Sequence, residues 1–431
     1  MTNNVVTGVP SENTSSAAKR KIIIATALGN GMEWYDFALY GYLATYLAAN
    51  FFPSATPISG FLNVMLVFGI AFVFRPLGGW VLGPIGERKG RQYALILTIA
   101  IMATSTFCVG LLPSQASIGI AAPILLVTMR CIQGFSAGGE QGPAITYLAE
   151  HAPEGRRGFF ASFIQSSSIA GFLTAAATVT ILTSVLSDAQ MKDWGWRIPF
   201  LLALPLGLVG LYIRYNLNET PEFERLKSKG DITDRPIAEA FERDLRPMVR
   251  VAGIVALQSA GYYTVFAYFP GHLQRMGFTP SQGTSAAMYS LALAMVLVPA
   301  FGHLSDRVGR KPVLLSAALA LLILTIPVFA ILGQLSFLGV VVCQLILTTA
   351  VAAYNGVVNS AYAESLDART RSGALSIGFN MGALIFGAPA LYVMTLLNTS
   401  ISAPWAPGVY VAVTAAISLV AVATLASRKE A

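Results

Sequence analysis

Charge is what this chain lacks most. Only 11% of its 431 residues are Asp, Glu, Lys or Arg, while 55% are hydrophobic; soluble domains run at about 25% charged. No soluble chain of this length can hide so much apolar surface in one core, which excludes a soluble enzyme or binding domain. Cysteine is nearly absent. Cys108, Cys131 and Cys343 lie far apart inside apolar stretches, which excludes a disulfide framework and a thiolate metal site. The three histidines, His151, His272 and His303, fall in separate loops with no ligand spacing, so the sequence offers no metal cluster and no nucleophile with its base. There is no Gly-rich loop ending in Lys-Ser or Lys-Thr, so ATP is not the energy source, and no cofactor is implied. The net charge of +7 is spread over turns between apolar runs, which is no nucleic-acid footprint. Residues 1–18 are Ser/Thr/Asn-rich without an apolar stretch and read as a disordered tail, not a cleavable signal peptide.

What is present is apolar runs. Twelve are long enough to span a bilayer: roughly 22–48, 61–83, 92–112, 118–148, 159–186, 197–217, 250–271, 281–303, 313–333, 337–361, 373–397 and 408–427. The expected fold is an all-α integral membrane protein, multi-pass in a bacterial inner membrane, with the lipid bilayer around it. Basic residues set its orientation. With both termini cytoplasmic, only Lys192, Arg197 and Arg275 of the 28 Lys and Arg residues face outwards, and Arg75 and Arg130 lie inside runs. The others, from Lys19, Arg20 and Lys21 to Arg428 and Lys429, fall on the cytoplasmic side, Arg214 being counted with the central polar stretch. That stretch, 218–249, reads as a linker between six spans in 19–217 and six in 250–427, with 428–431 a short tail.

A ten-residue pattern supports the division. Gly83, Glu87, Arg88, Gly90 and Arg91 recur as Gly302, Asp306, Arg307, Gly309 and Arg310. Glu150 followed by Arg157 likewise recurs as Glu364 followed by Arg371. The ten-residue spacing resembles the loop signature of the major facilitator superfamily, which joins the second and third helices of each six-helix bundle. The resemblance implies two six-helix bundles and a gate in which these acids and bases clasp neighbouring helix ends. A generic charged turn is the alternative.

Ionisable groups inside the runs are few: Glu33, Asp36, Arg75, Arg130 and Glu140. Each is expensive at that depth unless paired or facing water. Their depths along the helices, at about 1.5 Å per residue, suggest Asp36 against Arg130, with Glu33, Arg75 and Glu140 in a second cluster. Asp36, Glu33 and Glu140 are then candidates for proton coupling, and Arg130 and Arg75 for holding a carboxylate through parallel hydrogen bonds. Static pairs that fix packing are the alternative. Gln133, Gln165, Tyr262, Tyr263, Asn355, Asn359 and Asn380 are candidate polar liners or interhelical glue. Arg197 could assist at the outer mouth or anchor the interface.

A closer resemblance rests on Met32-Glu33-Trp34-Tyr35-Asp36-Phe37, Phe74-Arg75-Pro76-Leu77-Gly78-Gly79, Arg130-Cys131-Ile132-Gln133-Gly134-Phe135-Ser136-Ala137-Gly138-Gly139-Glu140, Trp194-Gly195-Trp196-Arg197-Ile198-Pro199-Phe200 and Glu219-Thr220-Pro221-Glu222-Phe223. Over about residues 20–427 the chain resembles the metabolite:proton symporter family, carriers of organic acids, proline and glycine betaine. In the sugar porters of the same superfamily, the positions matching Asp36 and Arg130 form the proton-coupling pair. Glu87 and Gln92 depart mildly from the commoner acid and base of the loop. The family's osmosensing members carry a long charged tail after the last span, and this sequence stops at Ala431. The expectation is therefore alternating-access symport of protons with a small organic acid, Arg130 holding its carboxylate. The alternatives are a zwitterionic osmolyte as cargo, or an uncoupled facilitator. A monomer is expected.

Overall fold

The computed structural model describes residues 16–53, 57–233, 235–401 and 403–425. Residues 1–15 of the expected tail, the terminal segment 428–431 with Arg428 and Lys429, and the side chains of Lys19, Arg20 and Lys21 lie outside them. The described chain is helical with no strand. Its main helices are α1 (Ser16–Tyr42), α2 (Pro57–Arg88), α3 (Arg91–Leu111), α4 (Ala121–His151), α5 (Arg157–Val185), α6 (Ala203–Tyr215), α7 (Pro236–Tyr263), α8 (Pro280–Val308), α9 (Arg310–Ile331), α10 (Phe337–Glu364), α11 (Arg371–Gly382) and α12 (Ala406–Ala423).

Between its ends a helix satisfies its backbone N–H and C=O groups within one segment, which is why apolar runs adopt it in lipid. Among the described residues, nine helices are long and apolar enough to cross a membrane. Those falling short are α1, α4 and α7, which carry Glu33 and Asp36, Arg130 and Glu140, and the charged stretch before Val251. Two expectations shift here. Residues 16–18, read as tail, begin α1, and 236–249, read as linker, are the first turns of α7; Pro236 sits at its start, where a missing N–H does no harm. π turns extend α7 at Thr264–Tyr268 and α11 at Ala383–Gly387.

The packing repeats itself. α2 packs on α4, α1 on α5, and α3 on both α4 and α6; correspondingly α8 packs on α10, α7 on α11, and α9 on both α10 and α12. The two sets meet through α2 with α11 and α5 with α8, again equivalent contacts. Both copies of the ten-residue pattern lie at one end of the molecule, here called the motif end. Each contains a glycine that only glycine suits. Gly90 (φ 106°, ψ 151°) and Gly309 (φ 97°, ψ 160°) turn α2 into α3 and α8 into α9. That region costs other residues about 1–3 kcal/mol. Gly309→Ala is therefore expected to destabilise the protein by about that amount. Gly90→Ala should cost more, since its methyl would stand 2.1 Å from Glu219 Oε2. Thermal unfolding in detergent micelles measures both, and equal melting temperatures for wild type and variants would refute the strain.

Candidate functional site

Asp36–Arg130, Glu33–Arg75 and Glu140–Arg214 are buried ion pairs inside the first half of the chain. Asp36 and Glu33 lie one turn apart on α1 and therefore share a face. Asp36 Oδ2 accepts from Arg130 Nη1 at 2.7 Å, and both side chains are fully buried. The carboxylate is saturated, because Oδ1 also accepts from Thr106 Oγ1 at 3.0 Å and Gln133 Nε2 at 2.8 Å. The Arg130 guanidinium stands 3.8 Å from the Tyr40 ring centroid, with the rings of Phe37 and Phe68 at 5.0 and 5.4 Å. The carboxylate is thus braced on both oxygens, whereas Nε and Nη2 of Arg130 are buried without a hydrogen-bond partner among the described residues.

Glu33 pairs with Arg75 across α1 and α2, Oε1 to Nη2 at 2.6 Å. Arg75 Nε also reaches Asn380 Oδ1 on α11, at 3.4 Å. Glu33 Oε2 is buried with no partner among the described residues. Glu140 is not bonded into this pair, contrary to the expectation from depth. Its Oε1 accepts from Arg214 Nη2 at 2.6 Å, and Arg214 also donates to the carbonyl of Leu95. Arg214 is fully buried, so it is a partner inside the bundle and not a solvated linker charge. Beside it Asn30 donates to Ile164 O and to the hydroxyls of Ser167 and Ser168, and accepts from Gln141, a network that the sequence reading missed.

A cavity of about 30 Å³ lies between the two halves. Trp34, Phe72, Tyr262, Tyr263 and Phe379 supply aromatic surface, Arg75 its one cation, and Gln165, Gln258, Ser259 and Asn355 its polar edges, with Ala383 of the π turn beside them. Its size is room for about one water, so the cavity is closed around very little. Tyr262 Oη and Asn355 Oδ1 have no hydrogen-bond partner among the described residues. Trp34 and Tyr262, from different halves, pack at 5.1 Å between ring centroids. Of the expected liners, Arg75, Gln165, Tyr262, Tyr263 and Asn355 reach this cavity. Arg130 and Gln133 do not line it, being engaged with Asp36. Asn359 donates to Ala161 O at 3.3 Å, and Asn380 to Gly138 O and Ser376 O at 2.7 Å each, so both tie helices together.

At the motif end each pattern acid caps a helix of the other half. Asp306 accepts from the backbone N–H groups of Gly158 (2.7 Å) and Phe159 (2.9 Å) at the start of α5. Glu87 accepts from Gly373 N at 2.5 Å at the start of α11. The first N–H groups of a helix have no partner of their own and carry its positive dipole end, so a carboxylate is the fitting cap. Gly302 and Gly158 touch beneath the first of these caps, as Gly83 approaches Gly373 and Ser376 beneath the second. Three of the expected bases, Arg310, Arg371 and Arg91, hold acids at helix ends. Arg310 holds Asp306 (2.7 Å) and Glu364 (2.9 Å). Glu150 is shared by Arg371 of the other half (2.9 Å) and Arg91 (3.5 Å). Arg88, Arg157 and Arg307 are exposed.

Two motifs resolve into bracing. Glu219 accepts from Gln92 N at 3.1 Å, capping α3, while Gln92 Nε2 caps the end of α6 by donating to the carbonyls of Arg214, Tyr215 and Leu217. Burial pushes the Glu219 carboxyl above the usual range, against the pull of those N–H groups. Arg197 donates to Gly110 O and Leu112 O, so it caps α3 at the opposite end and is not a cargo ligand at the mouth.

The sugar (and other) transporter family matches residues 22–248. The proline/betaine transporter of Escherichia coli K12 is 36% identical over 420 residues, covering 94% of this chain and 83% of that one. A glycine betaine/proline/ectoine/pipecolic acid transporter of Dickeya dadantii is 36% identical over 414 residues, with 93% and 82% covered. An ectoine/proline transporter of Corynebacterium glutamicum is 37% identical over 421 residues, with 93% and 83% covered. Among solved structures, a major facilitator proton:xylose symporter bound to 6-bromo-6-deoxy-D-glucose superposes with a TM-score of 0.80 over 95% of each chain at 18% identity, a likeness of fold. These relatives are carriers and not enzymes. The chain is a multi-pass bacterial inner-membrane transporter of the sugar (and other) transporter family, and its fold is that of the major facilitator symporter on which it superposes.

Proposed function

We propose that this protein is a proton-coupled symporter that takes up a small zwitterion of the proline, betaine or ectoine type by alternating access. The reading includes twelve spans in two six-helix bundles joined by residues 218–249, with both termini and the motif end cytoplasmic. The observation that carries it is the charge balance of the central cavity. Its one cation, Arg75, is already matched by Glu33, and aromatic faces make up much of the remaining wall. A neutral cargo with separated charges fits such a wall, its carboxylate on the guanidinium and its ammonium over the rings. A dicarboxylate needs a second positive charge. The organic-acid reading took that charge from Arg130, which is turned into the first bundle and holds Asp36 and Gln133 through Nη1. The names of the relatives point the same way.

In this reading the cargo enters from outside while Glu87 and Asp306 hold the cytoplasmic end shut. Rocking of the halves then breaks those caps and the bond between Glu150 and Arg371, releasing cargo and proton inwards. Uptake into proteoliposomes under an inward proton gradient tests it, with labelled proline, glycine betaine and ectoine beside succinate, 2-oxoglutarate and citrate. The expected outcome is accumulation of one of the zwitterions, collapsed by a protonophore. Accumulation of a dicarboxylate alone would overturn the cargo, and equilibration without accumulation would overturn the coupling.

A further inference from the structure

We propose that Glu33 and Arg75, not Asp36 and Arg130, form the point where cargo and proton meet. This rests on the reading of the chain as a proton-coupled carrier of a zwitterion. The cargo carboxylate takes Arg75 from Glu33, and the Glu33 carboxylate so released takes up the proton that travels with the cargo.

The two pairs differ in access and in saturation. Arg75 lines the cavity between the halves, and Arg130 does not. Asp36 has hydrogen bonds on both oxygens from three side chains, whereas Glu33 holds Arg75 by Oε1 alone and its Oε2 is unpartnered among the described residues. A carboxylate with one bond and one bare oxygen is held largely by its cation. Once a second carboxylate occupies that cation, Glu33 is left charged in an apolar surrounding, and protonation is the cheapest remedy. The O–H formed needs no counter-ion, and the proton leaves when the cargo leaves and Arg75 returns. The ionisable groups around Glu33 are Arg75 on α2, Asp36 on its own helix, Glu140 on α4 and Tyr263 on α7. Glu140 keeps Arg214, and Asp36 keeps Arg130, so neither competes for Arg75.

The same guanidinium touches the moving interface. Its Nε reaches Asn380 on α11, the helix whose first turn Glu87 caps at the motif end. Drawing Arg75 towards cargo therefore loosens a contact between the halves at the moment the site is loaded. The loaded site carries one positive charge more than the empty one, so uptake moves charge inwards with each cargo.

The test uses the full-length protein in proteoliposomes. Glu33→Gln should still exchange labelled for unlabelled proline or glycine betaine at equal concentrations, while its accumulation ratio under a proton gradient falls to one. Exchange also reports that the variant is folded. Arg75→Lys, which keeps the charge but loses the planar fork, should raise KM about tenfold or more. Accumulation by Glu33→Gln, or an unchanged KM in Arg75→Lys, overturns the proposal. If Glu33→Gln does not fold, the charge-neutral double variant Glu33→Gln/Arg75→Gln is assayed for stabilisation by cargo against heat; lost stabilisation supports the assignment and retained stabilisation overturns it. Failure of the unaltered protein to accumulate any zwitterion overturns the functional reading beneath it, a result separate from these.

Discussion

Arg130→Ala should lose about 3–5 kcal/mol of stability and all measurable transport, the largest single loss expected anywhere in the first bundle. The reason is what it strands. Asp36 is fully buried, and without Arg130 it keeps only a hydroxyl and an amide as partners, neither carrying charge. Leaving one charge uncompensated in such a place costs far more than the pair contributes when whole. The cavity left against Tyr40, Phe37 and Phe68 adds to the loss. Asp36→Asn should be severe for the mirrored reason, leaving Arg130 charged with only neutral acceptors. The double variant Asp36→Asn/Arg130→Gln removes both charges together and should recover most of the stability, with protonophore-sensitive uptake returning alongside. That recovery separates a brace from a coupling site, because no partner change can return a titratable group at position 36. Melting temperatures of the four proteins in detergent form the cycle. Additive losses in the double variant would sink the argument for the brace.

The pair Asp36–Arg130 was legible in the sequence because two unlike charges in apolar runs at one depth have few other partners. Depth, however, is only one coordinate. Arg75 and Arg130 lie at similar depth, and what separates their roles is rotation about α2 and α4, which decides that one guanidinium looks into the cavity and the other into the bundle. A rise of about 1.5 Å per residue says nothing about that angle once both faces of a helix are apolar. The misplacing of Glu140 has a related cause. Arg214 stands at the polar end of its run, so rules for loop charge assign it to solvent, while the chain folds it back fully buried against Glu140. The repeated pattern was the clearest signal, since charge is rare here and two matched sets of it stand out. It marked the acids that do the capping, yet could not say that their partners are backbone N–H groups, which every residue has. Of the aromatic wall only Tyr262 and Tyr263 were candidates, and the rest was silent for the opposite reason: with 24 Phe and 16 Tyr in the chain, nothing distinguishes Phe72 or Phe379 from ordinary packing.

Gly142→Ala should hold the motif end open and abolish net uptake. A Cβ at this position would lie 2.0 Å from Ser376 Oγ and 2.2 Å from Ser372 O. The hydroxyl can rotate away, but the carbonyl belongs to the backbone of α11 and moves only with its helix. That helix is also fixed in place by the bond from Gly373 N to Glu87 and by Ser372 donating to Gly83 O at 3.3 Å. The methyl therefore acts as a wedge between α4 and α11, two helices from opposite halves. Overpacking of this kind costs about 1–3 kcal/mol. Set against a two-state equilibrium, that is a shift of about 5- to 150-fold towards the state in which the motif ends are apart. Since alternating access needs both states, a carrier so biased releases cargo but rarely captures it from the other side. The readout is labelling of Ser376→Cys by a membrane-impermeant thiol reagent, after Cys108, Cys131 and Cys343 are replaced. Labelling from the motif side should speed up when Gly142→Ala is added. Gly41→Ala, whose methyl meets nothing within 4 Å, serves as the control and should leave the rate alone. An unchanged labelling rate with uptake intact would mean that α4 and α11 do not close against each other during transport, and that the caps at Glu87 and Asp306 are static joints instead of a gate.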